Sequence, residues 1–178
     1  TTLLEMLSSF APGLSLEHPV IAAKVNNVVQ GLKYRAFNSR QVEFLDYTSY
    51  LGRSVYCNSL CFLLCKAARD IFPDCRVILR RPISKGYFCS IDKGDGTEMS
   101  AGDLTLIKER MTALVEADIP FRRHEVLQEE AIEIFRKLGY DDKVKLLETS
   151  GDVYVNYYTL ENTPDYYYEA LLSSTGPL

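Results

Sequence analysis

Residues 56–74 read YCNSLCFLLCKAARDIFPD, and this stretch decides the fold. Apolar residues recur in it at steps of three and four, no glycine or proline interrupts them, and Pro73 follows. This spacing predicts one long helix over residues 53–72. Cys57, Cys61 and Cys65 lie four apart on that helix, which raises the question of a metal site.

The helical cysteines are predicted to be small apolar core residues. Zinc and iron–sulfur sites need ligands that converge on one ion, whereas thiols on successive turns of one helix do not converge. The two histidines, His18 and His124, are distant in sequence. The five cysteines are an odd number, and i, i+4 neighbours rarely reach disulfide geometry, so we expect reduced thiols. Cys75 and Cys89, on predicted strands, receive the same interpretation.

Composition places the chain among ordinary globular proteins. It has 178 residues, of which 47% are hydrophobic and 25% charged, and its formal net charge is -4. That charge argues against a protein that grips nucleic acid mainly by bulk positive charge, although it leaves local basic patches open. No apolar run approaches the roughly 20 residues that cross a bilayer, and no secretory signal is visible. We therefore expect a cytoplasmic location and no membrane partner.

The first of two predicted modules covers residues 1–48. A capping box, Thr2 with Glu5, starts a helix that ends in the motif APGL. The runs VIAAKVNNVV and LKYRA about an Asn26–Asn27 turn, followed by VEFLD, predict short strands. A small mixed sheet packed on one helix fits this pattern.

The second predicted module covers residues 53–178 and is α+β, because its strands and helices do not alternate as regular βαβ units. Ser100 with Asp103 caps its second helix. The predicted elements after the long helix are the strands CRVILRR and GYFCSI joined around Pro82, the turn DKGDGT, the helix AGDLTLIKERMTALVEAD, the strand FRRHEV, the helices QEEAIEIFRKLG and DKVKLLE, the strand VYVNYYTL and a tyrosine-rich tail.

No catalytic constellation is visible, and two groups of residues suit a ligand. DKGDGTEMSAGD lacks the residues of a P-loop, a dinucleotide fingerprint or an EF-hand, and no nucleophile is tied to His124. Guanidinium groups beside aromatic rings suit a phosphate with a stacked base, but they also suit a solvated mixed-charge surface. Tyrosines suit a nucleoside-sized pocket, but they also fill a core that lacks tryptophan. The basic group is Arg76, Arg80, Arg81, Lys85, Tyr87 and Phe88, with Arg122 and Arg123 expected on a neighbouring strand; the tyrosines are Tyr157, Tyr158, Tyr166, Tyr167 and Tyr168.

The order of the pieces resembles the N-terminal half of threonyl-tRNA synthetase. Residues 1–48 resemble its TGS domain, a ubiquitin-like β-grasp unit, without the opening β-hairpin. Residues 53–178 resemble the second additional domain shared with alanyl-tRNA synthetase, which clears mischarged tRNA. The landmarks are LLCKAARDIFPD, RRPISKGYFCSID, IPFRRHEVLQEEAIEIF and DYYYEALLSSTG. The resemblance implies an α+β fold: a partial β-grasp module followed by a synthetase editing-domain-like module.

That family's editing pocket uses a His-x-x-x-His pair in the long helix and a Cys-x-x-x-His pair near the closing STG. Aligning on Pro73 and on STG places Asn58 and Phe62 at the first pair and Tyr167 and Leu171 at the second. Phenylalanine and leucine have no lone pair to offer a metal or a proton. We therefore expect no hydrolytic editing, no catalytic residue and no metal or other cofactor in this chain.

The chain also resembles bacterial nucleoside kinases of the uridine kinase and phosphoribulokinase type. The similar stretches are VEFLDYTSYLGRSVYCNSLCFLLCKAARDIFP, ISKGYFC and LVEADIPFRRHEV. Those proteins carry such segments ahead of a P-loop domain. The resemblance implies a non-catalytic accessory region of a kinase that uses ATP and magnesium, with the kinase domain, its partner, beyond residue 178.

Two roles of different kinds follow for such an accessory region. One is a regulatory module that contacts RNA or a nucleotide at the former editing cleft. The other is an interaction scaffold that positions or dimerises the kinase; trans-editing of tRNA would need metal ligands that are missing. The residues expected around the cleft are Arg80, Arg81, Lys85, Tyr87 and Tyr167.

Overall fold

The computed structural model describes residues 1–10, 18–38, 40–83 and 86–178, without the side chains of residues 81–83. Within these ranges the chain is an α+β fold of three antiparallel sheets and five helices. No helix in the described ranges is long and apolar enough to cross a membrane. In chain order the elements are α1 (Leu3–Phe10), β1 (Ala22–Val25), β2 (Val28–Gly31), β3 (Val42–Leu45), α2 (Tyr50–Ile71), β4 (Arg76–Ile83), β5 (Gly86–Asp92), α3 (Ala101–Glu116), β6 (Phe121–Leu127), α4 (Gln128–Lys137), α5 (Asp141–Ser150), β7 (Tyr154–Leu160) and β8 (Thr163–Asp165).

The N-terminal sheet has the strand order β2-β1-β3 and packs against α1. The Thr2–Glu5 capping box is confirmed, since each side chain accepts the other residue's backbone N–H. Asn26 and Asn27 both have positive φ, as a two-residue type I′ hairpin turn requires. Both strand pairs are antiparallel, so the prediction of a mixed sheet was wrong.

The predicted strand LKYRA is a turn in the structure. Only an isolated bridge between Thr2 and Arg35 continues the pairing there, and β2 ends at Gly31. Its first residue, Leu32, contributes to the core instead of to a strand, because it is buried against Leu3 of α1. The predicted helix stop at APGL lies outside the described residues.

Helix α2 begins at Tyr50, three residues before the predicted start, because a local hydrogen-bond network caps it. Ser49 Oγ accepts the N–H of Gly52, and the Asp46 carboxylate accepts the N–H groups of Thr48 and Ser49. The Thr48 hydroxyl also donates to this carboxylate and is the main cause that lowers the pKa of Asp46. The motif DYTSYLG therefore fixes the direction in which α2 leaves the N-terminal sheet.

The hairpin β4–β5 contains an irregularity that the sequence did not predict. The pairing register shifts between Leu79 and Pro82, so Pro82 lies inside β4 rather than at the connection of the two strands. Proline donates no backbone hydrogen bond, and within sheets it is accepted at bulges and on edges. The outcome is a longer hairpin, in which Ile83 pairs with Gly86.

The strand β6 pairs with β7 in a separate sheet of order β6-β7-β8. The expectation that Arg122 and Arg123 neighbour the basic residues of β4 was therefore wrong. The second capping box is confirmed, because Ser100 and Asp103 accept each other's backbone N–H. The N–H of Ser100, followed by Lys93, lowers the pKa of Asp103 to about 2.

One apolar cluster joins the two predicted modules. Ile21, Ala22 and Leu45 of the N-terminal sheet belong to the same buried cluster as Phe62 of α2. Leu171 also belongs to it, and its carbonyl oxygen would lie 3.1 Å from a Cβ added at Gly31. The boundaries at residues 48 and 53 stay a prediction, and the packing across them is continuous.

A network of four charged side chains ties α2 to α3 and to the β7–β8 turn. Lys66, almost fully buried, pairs with Asp70 and, at 3.0 Å, with Glu161. Arg110 of α3 bonds the same two carboxylates, at 2.8 Å and 3.5 Å. Since both cations share both anions, the buried charge of Lys66 is compensated.

We expect Gly52→Ala to destabilise the protein by at least about 2 kcal/mol. The added Cβ would lie 1.8 Å from the carbonyl oxygen of Asp46, which the α2 cap holds in place. Gly102→Ala is the matched control in the first turn of α3, where the nearest atom, Ser100 Oγ, is 3.6 Å away. The control should be neutral or stabilising by up to about 1 kcal/mol. Urea unfolding measures both variants, and equal stabilities would contradict the steric argument.

Candidate functional site

The four aligned positions meet in the structure. Asn58 and Phe62 lie one turn apart on α2, and Tyr167 and Leu171 lie in the segment after β8. The ring centroids of Phe62 and Tyr167 are 5.5 Å apart. Asn58 Nδ2 donates a hydrogen bond of 2.9 Å to Glu169 Oε2. The fold therefore brings together the two segments that the resemblance pairs.

This meeting point is filled by apolar packing. Phe62 is 0% exposed and Leu171 is 2% exposed, and both belong to the main apolar cluster. A second ring, Phe121 of β6, lies 5.8 Å from Phe62. Across the described residues, no group of three or more His, Cys, Asp or Glu side chains is arranged to hold a metal ion. Of the four aligned residues, Phe62, Tyr167 and Leu171 therefore contribute to apolar packing, and Asn58 bonds Glu169.

Tyr167 is the titratable group at the centre of the contact. Burial, followed by the negative charge of Asp165, raises its pKa well above the usual value for tyrosine. The phenol therefore stays protonated near neutral pH and cannot act as a general base there. Burial explains the direction of this shift because a phenolate would lose its hydration.

The closing segment is held to the rest of the chain by buried hydroxyl groups. Ser59 Oγ, on α2, accepts the backbone N–H of Leu172 at 2.9 Å. Thr175 Oγ1 accepts the N–H of Ile119 at 2.8 Å and donates to the carbonyl of Leu114 at 2.6 Å. Both hydroxyl residues are 0% exposed. Thr175, the threonine of the STG landmark, therefore has a structural role, because its bonds, with that of Ser59, fix the path of the closing segment.

The cysteines do not form a reactive cluster. Cys65 and Cys75 are buried, which confirms their prediction as apolar core residues, whereas Cys57, Cys61 and Cys89 are only half-buried. All five thiols are free. Burial raises the pKa of Cys61 to about 11 and that of Cys65 to about 12. Since the thiolate is the nucleophile and the metal ligand, these two thiols are inert near neutral pH.

The predicted ligand cleft is only partly described. Arg80 is exposed on β4, and Tyr87 is 46% exposed on β5, paired with position 82. Tyr167 lines a shallow cavity of about 460 Å³ together with Asn58. Lys85 and the Arg81 side chain lie outside the described residues. The binding role of this set stays a prediction.

Sequence reasoning missed three charged residues beside the aromatic contact. Lys143 Nζ pairs at 3.2 Å with the carboxylate of Asp165, which is 3% exposed. Arg69 lies over the ring of Tyr140 at 4.5 Å and lines a cleft of about 760 Å³ that also reaches Tyr167. A charge within an apolar helical run, and an aspartate directly before three tyrosines, were the available signals.

Comparison with known proteins supports the synthetase part of the resemblance. The chain is similar to the N-terminal region of threonyl-tRNA synthetases. It is 30% identical over 179 residues to a threonine–tRNA ligase of Desulforamulus reducens, covering 100% of this chain and 28% of the relative. The corresponding enzyme of Syntrophotalea carbinolica is 29% identical over 165 residues, covering 92% and 26%, and that of Symbiobacterium thermophilum is 28% identical over 176 residues, covering 98% and 26%. No protein-family model matches the chain.

This chain spans less than a third of the length of these relatives. The similarity agrees with the α+β fold and with the TGS-like and editing-domain-like order of elements. It supports a synthetase-related, non-catalytic region and gives no support for a nucleoside kinase.

We expect Phe62→Ala to destabilise the protein by about 3–5 kcal/mol, because it opens a cavity between the rings of Phe121 and Tyr167. Phe88→Ala is the matched control, since Phe88 is 52% exposed on β5; its cost should stay below about 1 kcal/mol. Urea or thermal unfolding of both variants gives the comparison. A Phe62→Ala cost as small as that of the control would show that the side chains around Phe62 are not tightly packed.

Proposed function

We propose that the chain is a non-catalytic accessory region that keeps the architecture of a synthetase editing module without its hydrolytic chemistry. The observation that carries this proposal is the burial of Phe62 and Leu171 at positions where the synthetase family that the chain resembles has histidines. Neither side chain offers a lone pair to a metal ion or a proton. We also propose that this chain binds no metal or other cofactor of its own and that it is located in the cytoplasm.

The accessory role that we propose is contact with RNA or a nucleotide at the β4–β5 hairpin. Arg80 and Tyr87 are both accessible there, and a guanidinium group with a nearby phenol ring suits a phosphate and a base. Arg81, Lys85 and Tyr167 complete the proposed set on sequence grounds. Binding at this hairpin leaves the apolar contact around Phe62 intact.

The finer proposal is that the parent protein is an ATP- and magnesium-dependent nucleoside kinase of the uridine kinase type. It rests on the sequence resemblance alone, because the relatives reported above are threonine–tRNA ligases. A Gly-x-x-x-x-Gly-Lys-Ser/Thr motif encoded after residue 178 would support it. A synthetase catalytic domain there would overturn it and leave the non-catalytic role of this chain unchanged.

The deacylation test follows from the filled site. We expect no hydrolysis of seryl-tRNA above the spontaneous rate, with or without added zinc, and the scintillation assay of remaining aminoacyl-tRNA measures this. An editing-competent threonyl-tRNA synthetase serves as the positive control. Metal-dependent turnover that Asn58→Ala abolishes would refute the non-catalytic proposal.

A scaffold role is the second candidate, and exposed aromatic side chains favour it. Tyr50 and Tyr168 are 86% and 89% exposed, and aromatic side chains are enriched in protein–protein interfaces. If the chain is a scaffold, light scattering should show a concentration-dependent dimer that Tyr50→Ser with Tyr168→Ser weakens. Tyr154→Ser, at a 62% exposed residue of β7, is the matched control. A strict monomer at high concentration would exclude self-association as its role.

A further inference from the structure

A second cleft, the junction cleft, lies between the N-terminal sheet and the sheet that contains β6. Its volume is about 680 Å³, which is in the range of small-molecule sites. Of the residues proposed around the β4–β5 hairpin, the described Arg80, Tyr87 and Tyr167 do not line it, whereas Arg122, Arg123 and Tyr158 of the sequence-predicted groups do. The side chains that matter here are Gln30, Lys33, Tyr34, Arg122, Arg123 and Ser173.

Two edge strands form the walls of the junction cleft. The strand β2 is an edge of its sheet, and β6 is an edge of the other. The closing segment joins them: the N–H of Phe121 donates to the carbonyl of Ser173 at 3.2 Å, and Lys33 Nζ donates to the same carbonyl at 3.1 Å. Arg123 Nη1 reaches across to Gln30 Oε1 at 3.3 Å. The geometry of the cleft is therefore set by contacts from three segments.

The charge of the junction cleft is opposite to that of the whole chain. Its described lining includes Lys33, Arg122 and Arg123 and no aspartate or glutamate, although the chain carries 24 acidic and 20 basic residues. The hydrogen-bond partners of Lys33 and Arg123 are a backbone carbonyl and side-chain amides. Within the described parts of the chain, none of these three cations forms an ion pair, whereas Lys66 and Arg110 do.

Two further features of the junction cleft suit a polar ligand. Ser173 Oγ is buried and has no hydrogen-bond partner in the described part of the chain. Asp118, an acidic residue that interacts electrostatically with Lys33, does not line the cleft and accepts the N–H of Gly176 at 2.9 Å. A buried hydroxyl without a partner costs free energy unless another group bonds to it. Positive charge in a lining without aspartate or glutamate, beside a free hydroxyl, favours an anion with several acceptor oxygens.

We propose that the junction cleft binds the phosphate group of a nucleotide, either free or at the end of an RNA strand. Arginine is suited to this because its planar fork bonds two phosphate oxygens at once. Tyr34 is half-buried against the N-terminal apolar cluster and also lines the cleft, where its ring is the aromatic surface proposed for the base, since stacking on an aromatic face accepts any base. The site is distinct from the β4–β5 hairpin, so it goes beyond the function proposed above.

Isothermal titration tests the junction cleft with three probes: a mononucleotide, inorganic phosphate and a five-nucleotide RNA with a 5′ phosphate. We expect the nucleotide or the RNA to bind more tightly than phosphate alone, and the affinity to fall as salt is added. Binding of the mononucleotide identifies a free nucleotide as a ligand, and binding of the RNA alone identifies a strand end. No heat at millimolar concentrations of all three probes would overturn the proposal.

Arg122→Gln is the decisive variant, because no hydrogen bond of the described fold depends on the Arg122 side chain. We expect it to weaken binding about tenfold or more, as the loss of a charge-assisted hydrogen bond to phosphate does. Arg40→Gln removes the same charge from an exposed residue outside the cleft and should leave the affinity within twofold. Equal losses of affinity in both variants would show that only the total charge of the chain matters, and would overturn the proposed site.

Arg80→Gln separates this inference from the proposed function. A loss of affinity in Arg80→Gln with full binding in Arg122→Gln would overturn the junction cleft and support the hairpin. A loss in Arg122→Gln alone supports the junction cleft, whatever the hairpin does. An acidic peptide that binds the chain while all phosphate probes stay silent would also overturn the proposal, because it would show that the cleft recognises carboxylates.

Discussion

The contact between α2 and the closing segment is the constraint on which the rest of the structure depends. Phe62 packs against Tyr167 and Phe121, and one turn earlier Ser59 accepts the N–H of Leu172. Burying a ring of this size contributes roughly 1.5–3 kcal/mol, which is a large part of the stability of an ordinary domain. The direction of the last segment, and with it one wall of the junction cleft, follows from this contact.

Under the proposed function, the same contact explains how the architecture of an editing module persists without its chemistry. Two pairs of polar ligands held at one point are costly in the absence of a metal or a substrate, because buried polar groups need partners. Phenylalanine and leucine at such positions remove that cost and add apolar burial. Under the proposed function, Phe62 and Leu171 at two of the four aligned positions therefore stabilise the fold, and Lys143 and Asp165 form an ion pair near Tyr167.

Local signals predicted well, and signals that depend on distant segments did not. The long helix and both capping boxes follow from residues within a few positions of one another, and the structure confirms them. The neighbours of β6 could not be read in the same way, because strand pairing joins segments that are far apart in the chain. For the same reason the sequence placed Arg122 and Arg123 beside β4, whereas the fold places both on β6, where Arg123 donates to Gln30.

The candidate sites show the same division. Spacing located Asn58, Phe62, Tyr167 and Leu171, because a helical pair and a pair near a short landmark are local patterns. The junction cleft has no local pattern: Lys33 and Arg122 are far apart in the chain, and they line one cavity only after the closing segment has docked on α2. A binding function carried by such residues leaves no motif in the sequence. Under the two proposals, a chain without a recognisable catalytic motif still has a functional surface, since the packing around Phe62 also positions the charges of the junction cleft.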